Sequence, residues 1–270
     1  MDTYFNCTVC GKCCRDLKLP LTADEATDWL ARGHQVQLIC EASPWPGDLG
    51  ETDLPASHFH NRSFAVVSGR MPARVAVMLA ANLAGACPNL AADMRCRIYD
   101  DRPLVCRIYP AEVNPFVELD PAKKRCPPEA WTSPQPLARQ PGRLVPVEMT
   151  TDIGAWRTSE ARNAEFKGRI CAALSITDTA LVHEAALVYS PEPGALLAAL
   201  SHAASGRSHG QGTANWRFVS DRPQTIEDLR KQGGIAIHAG ESPGAAYQHV
   251  RFERQPLFRS YPGQSGAVAR

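Results

Sequence analysis

Apolar and polar positions fall into short, punctuated blocks along this chain. The first clear block opens at Thr22-Ala-Asp-Glu25. A threonine followed three residues later by glutamate is a capping box, in which each side chain satisfies the other's backbone amide. It predicts a helix running to about Arg32 and stopped by Gly33. Residues 36–40, Val-Gln-Leu-Ile-Cys, predict a short strand. Residues 63–68 and 74–79 carry β-branched residues on either side of a turn around Gly69 and Pro72, the pattern of a hairpin. Asp100 or Asp101, with Pro103 just inside, predicts a short helix that Pro110 ends. Residues 151–174 predict a helix whose apolar positions Ile153, Trp156, Phe166, Ile170 and Leu174 form one broad stripe. Two more helices are expected over 178–189 and 191–204, and another from Thr225 to Gly233. A strand is expected over 235–238.

The polar stretches between these blocks organise the rest. Residues 2–18 are too irregular for a long helix. Residues 41–62, rich in Pro, Gly and Asp, predict a long loop holding His58 and His60, which would share a face if extended. Residues 131–146 form a proline-spaced connection, 205–213 a Gly/Ser/His linker, and the last fifteen residues a frayed tail. The glycine-rich run 240–244 lacks the lysine of a P-loop and the Rossmann spacing. The resulting expectation is α+β: a small cysteine-rich metal-binding domain with a short antiparallel hairpin, then a mainly helical C-terminal segment. The expected divisions are 1–130 (cysteine cluster), 131–206 (connection and helices) and 207–270 (loop-rich).

Composition narrows the function classes. The 270 residues carry a formal net charge of +1, which gives no electrostatic argument for a nucleic-acid or membrane partner. The N-terminus has neither the basic nor the apolar region of a secretory signal. The longest uncharged apolar stretch, 75–87, is too short to span a bilayer. A cytoplasmic protein is expected, and there ten cysteines point to metal ligation ahead of disulfides.

Four of those cysteines lie within eight residues, as Cys7-Thr-Val-Cys10-Gly-Lys-Cys13-Cys14. Thiolates are soft donors for zinc, copper(I) and iron–sulfur clusters. Two intervening residues let both sulfurs reach one metal, and Gly11 suits the turn between them. Cys87, Cys96, Cys106 and Cys126 follow, whereas Cys40 and Cys171 sit in apolar segments and read as core. Eight thiolates are enough for two four-thiolate zinc sites, a binuclear zinc cluster, or one [4Fe–4S] cluster with spare thiols. In extended backbone, the adjacent Cys13 and Cys14 would point opposite ways and serve different centres. Lys12, Arg15 and Lys18 are placed to offset thiolate charge. Arg102, Arg107 and Tyr99 are candidates to approach a bound cofactor. No serine-, histidine- or carboxylate-based catalytic constellation stands out.

Together these motifs resemble the CxxCxxCC, or YkgJ-like, cysteine-cluster family of zinc- or iron-chelating domains. The likeness rests on Cys7/Cys10/Gly11/Cys13/Cys14, Leu21-Thr22/Glu25, Cys87, Cys96, Ile98-Tyr99, Arg102-Pro103, Cys106-Arg107, Tyr109-Pro110 and Cys126. It covers roughly residues 1–130. The resemblance implies metal or cluster binding. A related domain in flagellin lysine methylases, linked to an iron–sulfur cluster, implies redox or methyl-transfer chemistry with a protein partner or protein substrate. The expectation is therefore an iron–sulfur cluster, [4Fe–4S] favoured, on these eight cysteines. The alternative is a zinc-binding structural or metal-handling protein without catalysis.

Overall fold

The computed structural model describes residues 2–45, 47, 54–132, 136–140, 143–206, 215–241 and 246–252. Residues 207–213 of the expected linker, 242–244 of the glycine-rich run, Pro134 and Pro141 of the connection, and the last fifteen residues lie outside them.

In the first half, β1 (Thr3–Tyr4) precedes a tight 3-10 turn at Lys12–Cys14 and β2 (Arg15–Leu21). Then come α1 (Ala23–Ala31), β3 (Val36–Pro44), α2 (Leu54–Asn61), β4 (Ser63–Ser68), β5 (Met71–Ala86) and α3 (Leu104–Ile108). The second half holds β6 (Leu137–Gln140), β7 (Arg143–Leu144), α4 (Val147–Arg162), α5 (Ala164–Ala173), β8 (Asp178–Leu181) and β9 (Ala185–Tyr189). It continues with α6 (Pro193–Ala204), β10 (Arg217–Ser220), α7 (Pro223–Lys231), β11 (Ala236–His238) and β12 (Tyr247–Arg251).

Nine of these strands form one mixed sheet in the order β11-β10-β8-β3-β5-β2, with β9 and β12 joined beside β3 and β4 beside β5. A separate three-stranded sheet has the order β1-β6-β7. The long β5 is the hub. It pairs β3 from Ala73 to Ala81, β4 from Met71 to Ala76, and β2 from Leu79 to Ala86, all antiparallel. Strand period sorts β3 onto two faces. Leu38, Cys40 and Ala42 enter the main core with Trp29, Leu79, Ile170, Leu187, Leu196 and Phe218. Ile39 faces the other way, with Met78, Ala80, Ala186 and Val188.

This architecture corrects the expected fold. The chain is not a small cysteine domain followed by a mainly helical segment, because β8 to β12 carry the second half into the same large sheet. Residues 178–189 form β8 and β9, not a helix. Their Ala and Leu residues favour helix while Thr179, Val182, Val188 and Tyr189 favour strand, and sheet packing decides. Every residue of β9 is buried between β3 and β12. His183, at φ 76, turns the chain between the two strands.

Other differences are local. Residues 151–174 are two helices broken at Asn163. Within 41–62, β3 continues to Pro44 and α2 forms at Leu54–Asn61, so His58 and His60 are helical and do not share a face. His58 meets Phe116 edge-on, and burial, with Arg62 and Arg157 nearby, lowers its pKa to about 4. The capping box at Thr22 and Glu25 forms as read from the sequence. Helix α7 starts at Pro223, two residues before the expected Thr225, and the Thr225 hydroxyl donates to Glu184.

Candidate metal centre

The edge strand β2 explains how distant cysteines meet. It begins at Arg15, directly after Cys14, and pairs Arg15 with Ala86, directly before Cys87. The register therefore lays Cys14 beside Cys87, and the Cys87 amide donates to the Cys14 carbonyl at 2.7 Å. From there the chain makes a tight excursion. The Leu90 amide donates to the Cys87 carbonyl at 2.9 Å, the Arg97 amide to the Asn89 carbonyl at 2.8 Å, and Leu90 bridges Cys96. Cys106 lies in α3, and it and Cys87 pack against the main core.

Gly11 sits at φ 65 at the head of the Lys12–Cys14 turn. A Cβ there would lie 2.3 Å from Met94 Cε and 3.4 Å from Leu90 Cδ1. Glycine thus gives both the left-handed turn and the close approach to the 90–94 segment. The turn also sets Cys13 and Cys14 differently from extended backbone: their sulfurs are 3.9 Å apart.

The N-terminal loop is tied down at its other end. The Asn6 amide donates to the Ala130 carbonyl at 3.0 Å, and the Phe5 ring packs 4.9 Å from Trp131. Arg125, next to Cys126, donates its guanidinium to the carbonyls of Arg15 and Asp16. The Cys126 thiol donates to the Tyr109 hydroxyl at 3.5 Å.

Charge and burial follow this layout. Burial pushes the Cys106 thiol up to about 12 and raises Cys87 and Cys126. Cys13 is raised by its hydrogen bond with Cys14 and by burial. Cys14 is lowered by that same bond and by the nearby Arg102 and Arg15. Neighbouring thiols add to the upward shifts of Cys13, Cys87, Cys106 and Cys126, a cost that a bound cation would relieve.

The sequence candidates end up as follows. Cys7 is exposed and the other seven cluster cysteines are partly exposed, whereas Cys40 and Cys171 are fully buried in the core. Arg102 stacks 3.6 Å over the Tyr99 ring and donates to the Tyr99 carbonyl, close enough to act on Cys14 and Cys106. Arg107 pairs with Asp152 of α4 at 2.9 Å. Sequence reasoning missed the bracing roles of Arg125 and Tyr109. Their signal was position alone: one adjoins Cys126, the other closes α3.

The donor set fits a thiophilic metal, being eight free thiols with cationic side chains beside them. Among the described residues, no group of three or more His, Cys, Asp or Glu side chains is already gathered to hold a metal ion. The thiols are neighbours, not a closed shell.

Residues 6–127 match the family model described as "CxxCxxCC: Putative zinc- or iron-chelating domain". Neither the curated proteins nor the solved structures gave a match. Among the described residues no helix is long and apolar enough to cross a membrane. Residues 6–127, which carry all eight clustered cysteines, are thus similar to the CxxCxxCC zinc- or iron-chelating domain.

Proposed function

We propose that this protein binds an iron–sulfur cluster, or iron, through Cys7, Cys10, Cys13, Cys14, Cys87, Cys96, Cys106 and Cys126. One observation carries the reading: β2–β5 pairing lays Cys14 beside Cys87, and the Arg125 and Asn6 bonds bring the Cys126 segment against the N-terminal cysteine loop. An apolar core has no use for partly exposed sulfur at that density, and a thiophilic metal does.

The chain's own residues prepare the site. Arg102 and Arg15 offset thiolate charge beside Cys14. The Tyr109 hydroxyl is hydrogen-bonded to the Cys126 sulfur and orients it. Tyr99 holds the Arg102 guanidinium over its ring. A bound iron centre would supply one-electron redox chemistry or support group transfer, including methyl transfer to a protein substrate. Ten cysteines without a disulfide suit a reducing compartment, so we place the protein in the cytoplasm.

A second reading is favoured by one distance. Tetrahedral zinc with sulfurs at about 2.3 Å has sulfur–sulfur edges of about 3.8 Å, and Cys13 and Cys14 stand 3.9 Å apart. On that reading the protein is a zinc-binding structural or metal-handling protein.

Anaerobic purification with elemental analysis and a visible spectrum tests both. Iron with broad visible absorption is the expected result. A colourless protein with zinc selects the second reading, and a protein without metal rejects both.

A further inference from the structure

Asn89 is held in the middle of the cysteine layout. Its carbonyl accepts the Arg97 amide at 2.8 Å, and its neighbour Leu90 bridges Cys96 and donates its amide to the Cys87 carbonyl at 2.9 Å. Cys87 in turn donates its own amide to Cys14, and Leu90 lies against the Gly11 turn between Cys10 and Cys13. The backbone of Asn89 is thus fixed between cysteines from both ends of the 6–127 segment.

Its side chain is left unsatisfied. The Asn89 Nδ2 atom is shut off from solvent and has no hydrogen-bond partner among the described residues. A buried N–H without an acceptor carries the full penalty of its lost hydration, and an ion or ligand that completes it is one way such a group is explained. The acceptor that suits this place is sulfur: a metal-bound thiolate or sulfide is anionic and takes N–H donors.

The same segment already aims donors at sulfur elsewhere. The Val9 amide donates to the Cys7 sulfur at 3.4 Å, with Val9 at φ 55. A β-branched residue at positive φ is strained, and here the strained turn delivers an N–H to a thiol. The Tyr109 hydroxyl is hydrogen-bonded to the Cys126 sulfur at 3.5 Å.

We propose that the Asn89 side-chain amide donates to the anionic sulfur of the bound metal centre, as a positioning residue outside the ligand set. This inference rests on the metal-binding reading above. Nδ2 gives up no existing bond to do so, so the pairing favours the loaded protein over the stripped one. An N–H on sulfur also withdraws electron density from it. In an iron centre that favours the reduced state, and in a zinc centre it slows metal loss.

The test uses the full-length protein purified anaerobically with its metal, and the same protein reconstituted with cobalt(II). Asn89→Leu removes the donor at similar size, and Asn89→Ala beside it separates any effect of bulk. Both variants should release metal to excess chelator about tenfold faster than the native protein. In both, the sulfur-to-metal charge-transfer band of the iron or cobalt(II) form should move to longer wavelength, because the sulfur becomes more electron-rich. A native release rate and an unmoved band overturn the proposal while metal binding stands. Faster release with an unmoved band makes Asn89 a purely structural residue and also overturns it. Native protein that carries no metal and takes up no cobalt(II) overturns the metal reading itself.

Discussion

Glu25 accepts the Leu104 amide at 2.7 Å on one carboxylate oxygen and the Thr22 amide at 2.8 Å on the other. One side chain thus caps α1 locally and the first turn of α3 from across the fold. Because α3 carries Cys106, the capping box also holds a candidate ligand in place. Glu25→Ala should lower stability by about 1–3 kcal/mol, the cost of a lost cap with a second amide left unpaired. Glu25→Gln, which keeps an acceptor, should cost less. Urea unfolding measures the first effect, and the alkylation rate of Cys106 measures the loosening of α3.

Gly11→Ala should weaken the turn that presents Cys10 and Cys13. The position needs φ 65, which costs a residue with a Cβ roughly 1–2 kcal/mol, and the added carbon meets Met94. Metal retention against a competing chelator should fall in this variant. Gly154→Ala, at an open helical position, should leave it unchanged.

Cys40 and Cys171 are fully buried neighbours within the main core. Cys40→Ala and Cys171→Ala should leave metal content at the native value. Each should destabilise the fold by about 1–2 kcal/mol through the cavity it leaves. Elemental analysis and thermal unfolding separate the two effects, and metal loss in either variant would count against the assignment of ligands.

Glu41 is buried on the sheet, and neither carboxyl oxygen has a hydrogen-bond partner among the described residues. Burial raises its pKa from 4.5 to about 7, with Arg62 opposing the shift. A carboxyl whose folded pKa is raised favours the folded state while protonated, and that advantage is lost as pH rises through the folded value. Relative to Glu41→Gln, the native protein should therefore lose stability between about pH 4.5 and above pH 7. The change should be on the order of 3 kcal/mol. Taking the difference between the two proteins cancels pH effects at the distant thiols. A difference that stays flat with pH would show that Glu41 is ionised throughout.

The cysteine spacings, the Thr22–Glu25 capping box and the 63–79 hairpin were legible in the sequence because each is written in neighbouring residues. The burial of Cys40 and Cys171 in the core was legible too, since their apolar surroundings follow directly from the chain. Strand β2 was missed although Leu17, Leu19 and Leu21 alternate within it, because Pro20 and the cysteines masked the pattern. Pro20 is tolerated because β2 lies at the sheet edge. That residues 178–189 pair as strands could not be read locally, since their helix and strand preferences nearly cancel and burial between β3 and β12 chooses. Which cysteines lie near one another was beyond the sequence for the same reason. Spacings of eight, nine and nineteen residues carry no partner information. The partners come from the β2–β5 register, which sets Cys14 against Cys87, and from the tether that brings Cys126 to the N-terminal loop. Local chemistry names the candidate ligands, and long-range backbone pairing decides which of them lie side by side, as Cys14 and Cys87 do.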